Sequence, residues 1–143
     1  MRLAKDSHRY RYVIALHRGD KIVKSLTEFC QEKKIKQGFF IGIGAVDFAE
    51  LAHYSVENKK YSSKKFEIPL EMVSLTGNVV KEKDKDLIIH AHGVFGKDNF
   101  ETVSGHLVEA RISGVGEIIF FPTQTKLEKS YDDETGLKII HKQ

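Results

Sequence analysis

From Leu70 to Phe121 the chain reads as one β-forming segment after another, with only short polar turns between them. Strands joined so tightly must run antiparallel, because a parallel pair needs a long crossover. Glu71 to Asn78 alternates polar and apolar residues, the period of a half-buried strand. A charged turn follows at Lys81 to Lys85, then strands at Leu87 to Phe95, Gly105 to Ile112 and Gly116 to Phe121, the last stopped by Pro122.

The first half adds one strong helix. Tyr10 to His17 reads as a strand, and Arg18-Gly19-Asp20 as a turn. Asp20 is placed to cap a helix from Lys21 to about Lys34, its carboxylate accepting a first-turn amide. Ile22, Leu26, Phe29 and Cys30 fall on one face of that helix, so Cys30 reads as core. Phe39 to Val46 and Phe48 to Val56 read as two strands of a hairpin, with Gly42 and Gly44 allowing a bulge or close backbone approach. Residues 57–65 are polar and basic, of strand or loop character. The segment from Lys126 to Gln143 reads as a polar tail in which Leu137 to Ile140 adds an edge strand. The expected class is α+β: a mixed, mainly antiparallel sheet with one main helix, and a single domain over residues 1–143 with its core at about 10–121.

One cysteine excludes an intrachain disulfide and suits a reducing compartment. Met1 to Asp6 has no apolar signal-peptide core, and no apolar run reaches the ~18 residues of a membrane helix. The expectation is a cytoplasmic protein with no membrane partner. Net charge is only +3, from 23 basic and 20 acidic residues. The lysine runs at 33–36 and 59–65 read as solvated surface rather than a dedicated nucleic-acid face.

The pointed feature is a set of histidines. His90 and His92 are two apart in a strand and share a face. A hairpin pivoting on Asn99 sets residue 92 opposite residue 106, which brings His106 beside His92 on the same face. Three neutral imidazoles suit zinc or a similar divalent metal, with a fourth position open. Glu71, Glu109 and Glu117 are the candidate carboxylates to orient a histidine or complete the shell, and the sequence does not choose among them. The alternative is three unrelated histidines on a polar sheet face. His8, His17, His53 and His141 are isolated and read as ordinary surface or core residues.

The order of segments resembles the plant and prokaryote conserved (PPC) domain family. The matching pieces are Leu16-His17-Arg18-Gly19-Asp20, Gly42-Ile43-Gly44-Ala45-Val46, Phe66 to Asn78, Ile89-His90-Ala91-His92 and Ser104-Gly105-His106-Leu107. The family usually shows Gly-Gly-His-Leu at the last of these. The resemblance implies a homotrimer and a DNA-binding role. No Arg-Gly-Arg-Pro core for minor-groove binding is present. The fold also resembles that of acetolactate decarboxylase, a zinc enzyme with an H-x-H pair and a later histidine.

Two functions follow as expectations. One is a DNA-binding or regulatory module with a three-histidine divalent metal site. The other is a zinc-dependent lyase or hydrolase acting on a small carboxylated or carbonyl-containing metabolite, with Glu71 moving protons and Arg11 or Arg111 pairing with a substrate carboxylate.

Overall fold

The structure is a computed structural model that describes residues 2–6, 11–82, 86–125 and 127–142, with backbone only for 2–6 and 141–142. His8, Tyr10 and residues 83–85 of the charged turn lie outside the described residues, as does the side chain of His141.

Chain order is β1 (Arg2–Asp6), β2 (Arg11–His17), α1 (Ile22–Glu32), β3 (Gln37–Ser55), β4 (Lys60–Phe66), β5 (Leu70–Lys81), β6 (Leu87–Gly96), β7 (Thr102–Pro122), β8 (Leu127–Asp132) and β9 (Leu137–Lys142). Seven strands form one sheet in the order β1-β2-β7-β6-β5-β3-β4, and a further β7–β3 pairing closes β3, β5, β6 and β7 into a ring. Among the described residues every strand ladder is antiparallel, and the one parallel pairing is an isolated bridge between Glu82 and Lys129. The α+β class with one main helix therefore stands.

Three local expectations are corrected. Residues 39–56 form no hairpin: β3 runs unbroken for 19 residues, clasped between β5 and β7. Its glycines do allow the expected bulge and close backbone approach, for the register shifts between Gly42 and Gly44 and a Cβ on Gly44 would collide with the Val115 carbonyl oxygen. Likewise Gly105 to Ile112 and Gly116 to Phe121 are parts of one strand, β7, which bends past its glycines. The polar tail is a hairpin, β8–β9, forming a second sheet of its own.

The interior collects the apolar face of α1 and the inward residues of the ring. Ile22, Leu26, Phe29 and Cys30 are all buried, as their spacing predicts. Phe29 meets Tyr12 edge-on at 5.1 Å and Phe120 at 5.4 Å, an arrangement that favours the ring quadrupoles. Each such buried side chain contributes about 1.5–3 kcal/mol through lost water contact. Burial also pushes the Cys30 thiol up to about 12, so it is inert at neutral pH.

Asp20 does not cap α1. Its carboxylate accepts from the amide of His17 and serves the preceding turn. The orphan amides of the helix go instead to Glu109 on β7, whose two oxygens accept from Val23 (2.8 Å) and Lys24 (3.2 Å). An anion from a distant strand thus satisfies the positive end of the helix. Among the described residues no helix is long and apolar enough to cross a membrane.

Candidate metal centre

Along β6 the side chains alternate: Ala91, Gly93 and Phe95 are buried inside the ring, while His90 and His92 stand on its outer surface. Register then does what the hairpin arithmetic requires. His92 pairs with His106 on β7, and on the other side His90 pairs with Asn78 and His92 with Thr76 on β5. The three imidazoles face one another with centroids 5.2, 5.3 and 5.6 Å apart. One ligand nitrogen from each lies within 4.8 Å of the other two.

At zinc–nitrogen bonds of about 2.0–2.1 Å, tetrahedral nitrogens sit roughly 3.4 Å apart, so small side-chain rotations bring the set onto one ion. A second observation favours such a ligand. His106 Nδ1 is buried and makes no hydrogen bond among the described residues, and neither does Asn78 Oδ1 beside the cluster. A buried imidazole nitrogen left without a partner costs about 1–3 kcal/mol, which a coordinated cation would recover.

Burial favours the uncharged form of His90 and His106. His90 is pushed down from 6.5 to about 4, first by burial, then by the positive charge of Lys129 and by the other two histidines. His106 is lowered as well, chiefly by burial. A neutral imidazole is the form that binds a metal.

The carboxylates are elsewhere. Glu71 pairs with Ala45 and Gly96 at the far end of the β5–β6 ladder and lines a different cavity with Lys97 and Phe100. Five residues of strand separate it from Thr76, about 17 Å at 3.3–3.4 Å per residue. Glu117 is exposed opposite Ala15 and Ile43. Glu109 is committed to the helix. Neither arginine reaches the histidines either: Arg111 pairs with Asp47 at 2.7 Å, and Arg11 sits opposite Asp6 on the edge ladder.

What flanks the histidines instead is the C-terminal hairpin. A cavity of about 610 Å³ is lined by His90, His106, Tyr61 of β4, and Lys129, Tyr131 and Ile139 of β8–β9, among others. The hairpin is tied down by Tyr54 Oη donating to the Thr135 carbonyl (2.8 Å) and by a Lys138–Glu82 ion pair (2.7 Å). Lys129 is 3% exposed and has its pKa lowered by burial. Sequence reasoning missed this residue, although Leu127-Glu128-Lys129-Ser130-Tyr131 alternates and Thr135-Gly136 marks a turn.

Comparison with known proteins agrees with this architecture. The profile of the Plants and Prokaryotes Conserved (PCC) domain matches residues 5–123. A Bacteroides thetaiotaomicron structure, named a "putative DNA binding protein", is 28% identical, with 98% of this chain and 96% of that one covered and a TM-score of 0.91. A metal-containing protein from Archaeoglobus fulgidus is 31% identical, with 97% of each chain covered and a TM-score of 0.82. The distant likeness of fold is also found: a Staphylococcus aureus protein of unknown function, similar to alpha-acetolactate decarboxylase, is 10% identical over 78% of this chain and 52% of that one, with a TM-score of 0.55. No curated protein sequence matches the chain significantly.

Proposed function

Since the chain belongs to the Plants and Prokaryotes Conserved (PCC) domain family, we propose that it is a DNA-associated regulatory module in which His90, His92 and His106 hold one divalent metal ion, zinc first among the candidates. The observation that carries this reading is the convergence of three ligand nitrogens within 4.8 Å, with His106 Nδ1 buried and without a hydrogen bond among the described residues. The metal-containing relative supports it. Bound there, the ion supplies a Lewis-acidic position open toward the cavity.

A lyase or hydrolase would need an acid–base group beside the ion. Glu71, the carboxylate expected to move protons, is placed away from the histidines, as are Glu109 and Glu117, so the function proposed is binding. Residues 1–143 act as one domain in the cytoplasm, consistent with the lone, buried Cys30. The module assembles as a homotrimer. Support comes from Phe39, Ile41 and Ile43 of β3, Ile119 of β7 and Val13 of β2, which register as neighbours on one exposed apolar face.

DNA contact on this reading is carried by phosphates, not bases. Edge strand β4 exposes Lys60, Lys64 and Lys65. Three neutralised phosphates give a log–log salt slope of about −3. Binding to duplex DNA across salt concentrations tests this: no association even at low salt removes the DNA role. Elemental analysis of untagged protein purified without added metal tests the other half. About one zinc or similar ion per chain is expected, and none in wild type after reconstitution would end the metal reading.

A further inference from the structure

Lys129 is buried on the inner side of the β8–β9 hairpin with only 3% of its surface exposed. Among the described residues no carboxylate pairs with its ammonium, and no hydrogen bond to it is formed. Glu82, the acid bridged to it through the backbone, gives its carboxylate to Lys138. Among the described residues this largely buried lysine has no counter-ion, and a cation so placed at the wall of a cavity favours an anion beside it. The cavity it lines continues to His90 and His106; Ile88, Ile89, Leu137 and Ile139 give it an aliphatic stretch of wall, beside Tyr61, Tyr131 and the Glu82-paired Lys138.

These features describe a receptor with two unlike ends: a buried positive charge beside the imidazoles, and aliphatic walls beyond it. We propose that the cavity binds a small carboxylate with an aliphatic body, its carboxylate set between Lys129 and the three-histidine centre and its hydrocarbon against the isoleucines. The carboxylate supplies a counter-charge, and the aliphatic wall takes the hydrocarbon body out of water. Such a ligand also cements the hairpin onto the sheet, because Lys129 is on β8 and the histidines are on β6 and β7. That coupling makes the hairpin the element through which a small metabolite would report to the rest of a regulatory module. The inference rests on the three-histidine reading for one of its two ends only, since Lys129 stands on β8 and is not one of the proposed metal ligands.

Isothermal calorimetry with isovalerate and its neutral counterpart isovaleramide tests this on the full chain, both metal-free and zinc-loaded. Isovalerate is expected to bind both forms, more tightly with zinc, and isovaleramide at least tenfold more weakly. Lys129→Met keeps the apolar stem and is expected to weaken isovalerate at least tenfold while zinc stoichiometry is unchanged. Ile139→Trp narrows the cavity while leaving Lys129 and the histidines unsubstituted, and it too is expected to abolish binding, which covers the case that Lys129→Met fails to fold. Equal affinity for acid and amide, unchanged binding in a folded Lys129→Met protein, or no isovalerate binding to either form overturns the proposal. Lys129-dependent binding in a protein that takes up no zinc overturns the metal reading and leaves the anion site standing.

Discussion

His92 of β6 and His106 of β7 are directly opposed in an antiparallel register, five residues either side of which the strands part into the turn around Asn99. Opposed residues share a face, so neither imidazole can leave the cluster without slipping the whole ladder. His92→Ala or His106→Ala is therefore expected to leave the fold intact and to lower zinc affinity at least tenfold. Equilibrium dialysis with a zinc chelator reads the loss. Unchanged affinity in both variants would show that the pair is not a ligand pair.

Acid should loosen the metal-free protein. His90 is held down to about 4 in the fold, against 6.5 when exposed, and His106 is shifted in the same direction. Between those values the unfolded chain binds more protons than the folded one, so stability falls as pH falls. The penalty is absent above 6.5, grows through the interval and saturates below about 4. Urea midpoints at pH 7, 5.5 and 4.5 should fall in that order, and His90→Gln should flatten part of the slope. A midpoint that rises on acidification would contradict this account of the burial.

Glu109 carries no metal role here and a clear structural one. Glu109→Ala is expected to cost about 1–2 kcal/mol, from two lost amide acceptors and a lost anion at the start of α1. Glu109→Gln should recover part of that. Metal content should be the same in all three proteins, and a drop in either variant would return Glu109 to the site.

Gly44 tests the unbroken course of β3. A Cβ there meets the Val115 carbonyl, so Gly44→Ala should cost about 1–3 kcal/mol through forced backbone shift. In a solvent-facing turn the same change would be close to neutral. Thermal unfolding separates the two outcomes.

The exposed apolar face of β2, β3 and β7 should be the trimer contact. Ile41→Lys places a charge at its centre and is expected to give single 16.3-kDa chains by analytical ultracentrifugation, where wild type gives assemblies of three. A monomeric wild type would rule out the proposed assembly.

The histidine cluster was legible because two short-range rules suffice for it: alternation along β6, and reflection about one tight turn. The helix face was legible for the same reason, since Ile22, Leu26, Phe29 and Cys30 follow a local period. What escaped depends on partners remote in sequence. Asp20 looks like the helix cap, and only the β7 backbone brings Glu109, 86 residues from Val23, to the same amides. Residues 39–56 look like a hairpin until β5 and β7 are seen clasping one continuous strand. Glu71 looks like a site acid until register carries it to the opposite end of its ladder. Lys129 looked like tail surface because nothing local says that β8–β9 folds back over the sheet.

Crystals of untagged protein, measured at and below the zinc absorption edge, give the most direct test of the central claim. The expected result is one anomalous peak per chain at about 2.0–2.1 Å from a nitrogen of each of His90, His92 and His106. A zinc-loaded crystal with no peak there, or with its peak at an isolated residue such as His53, would contradict it.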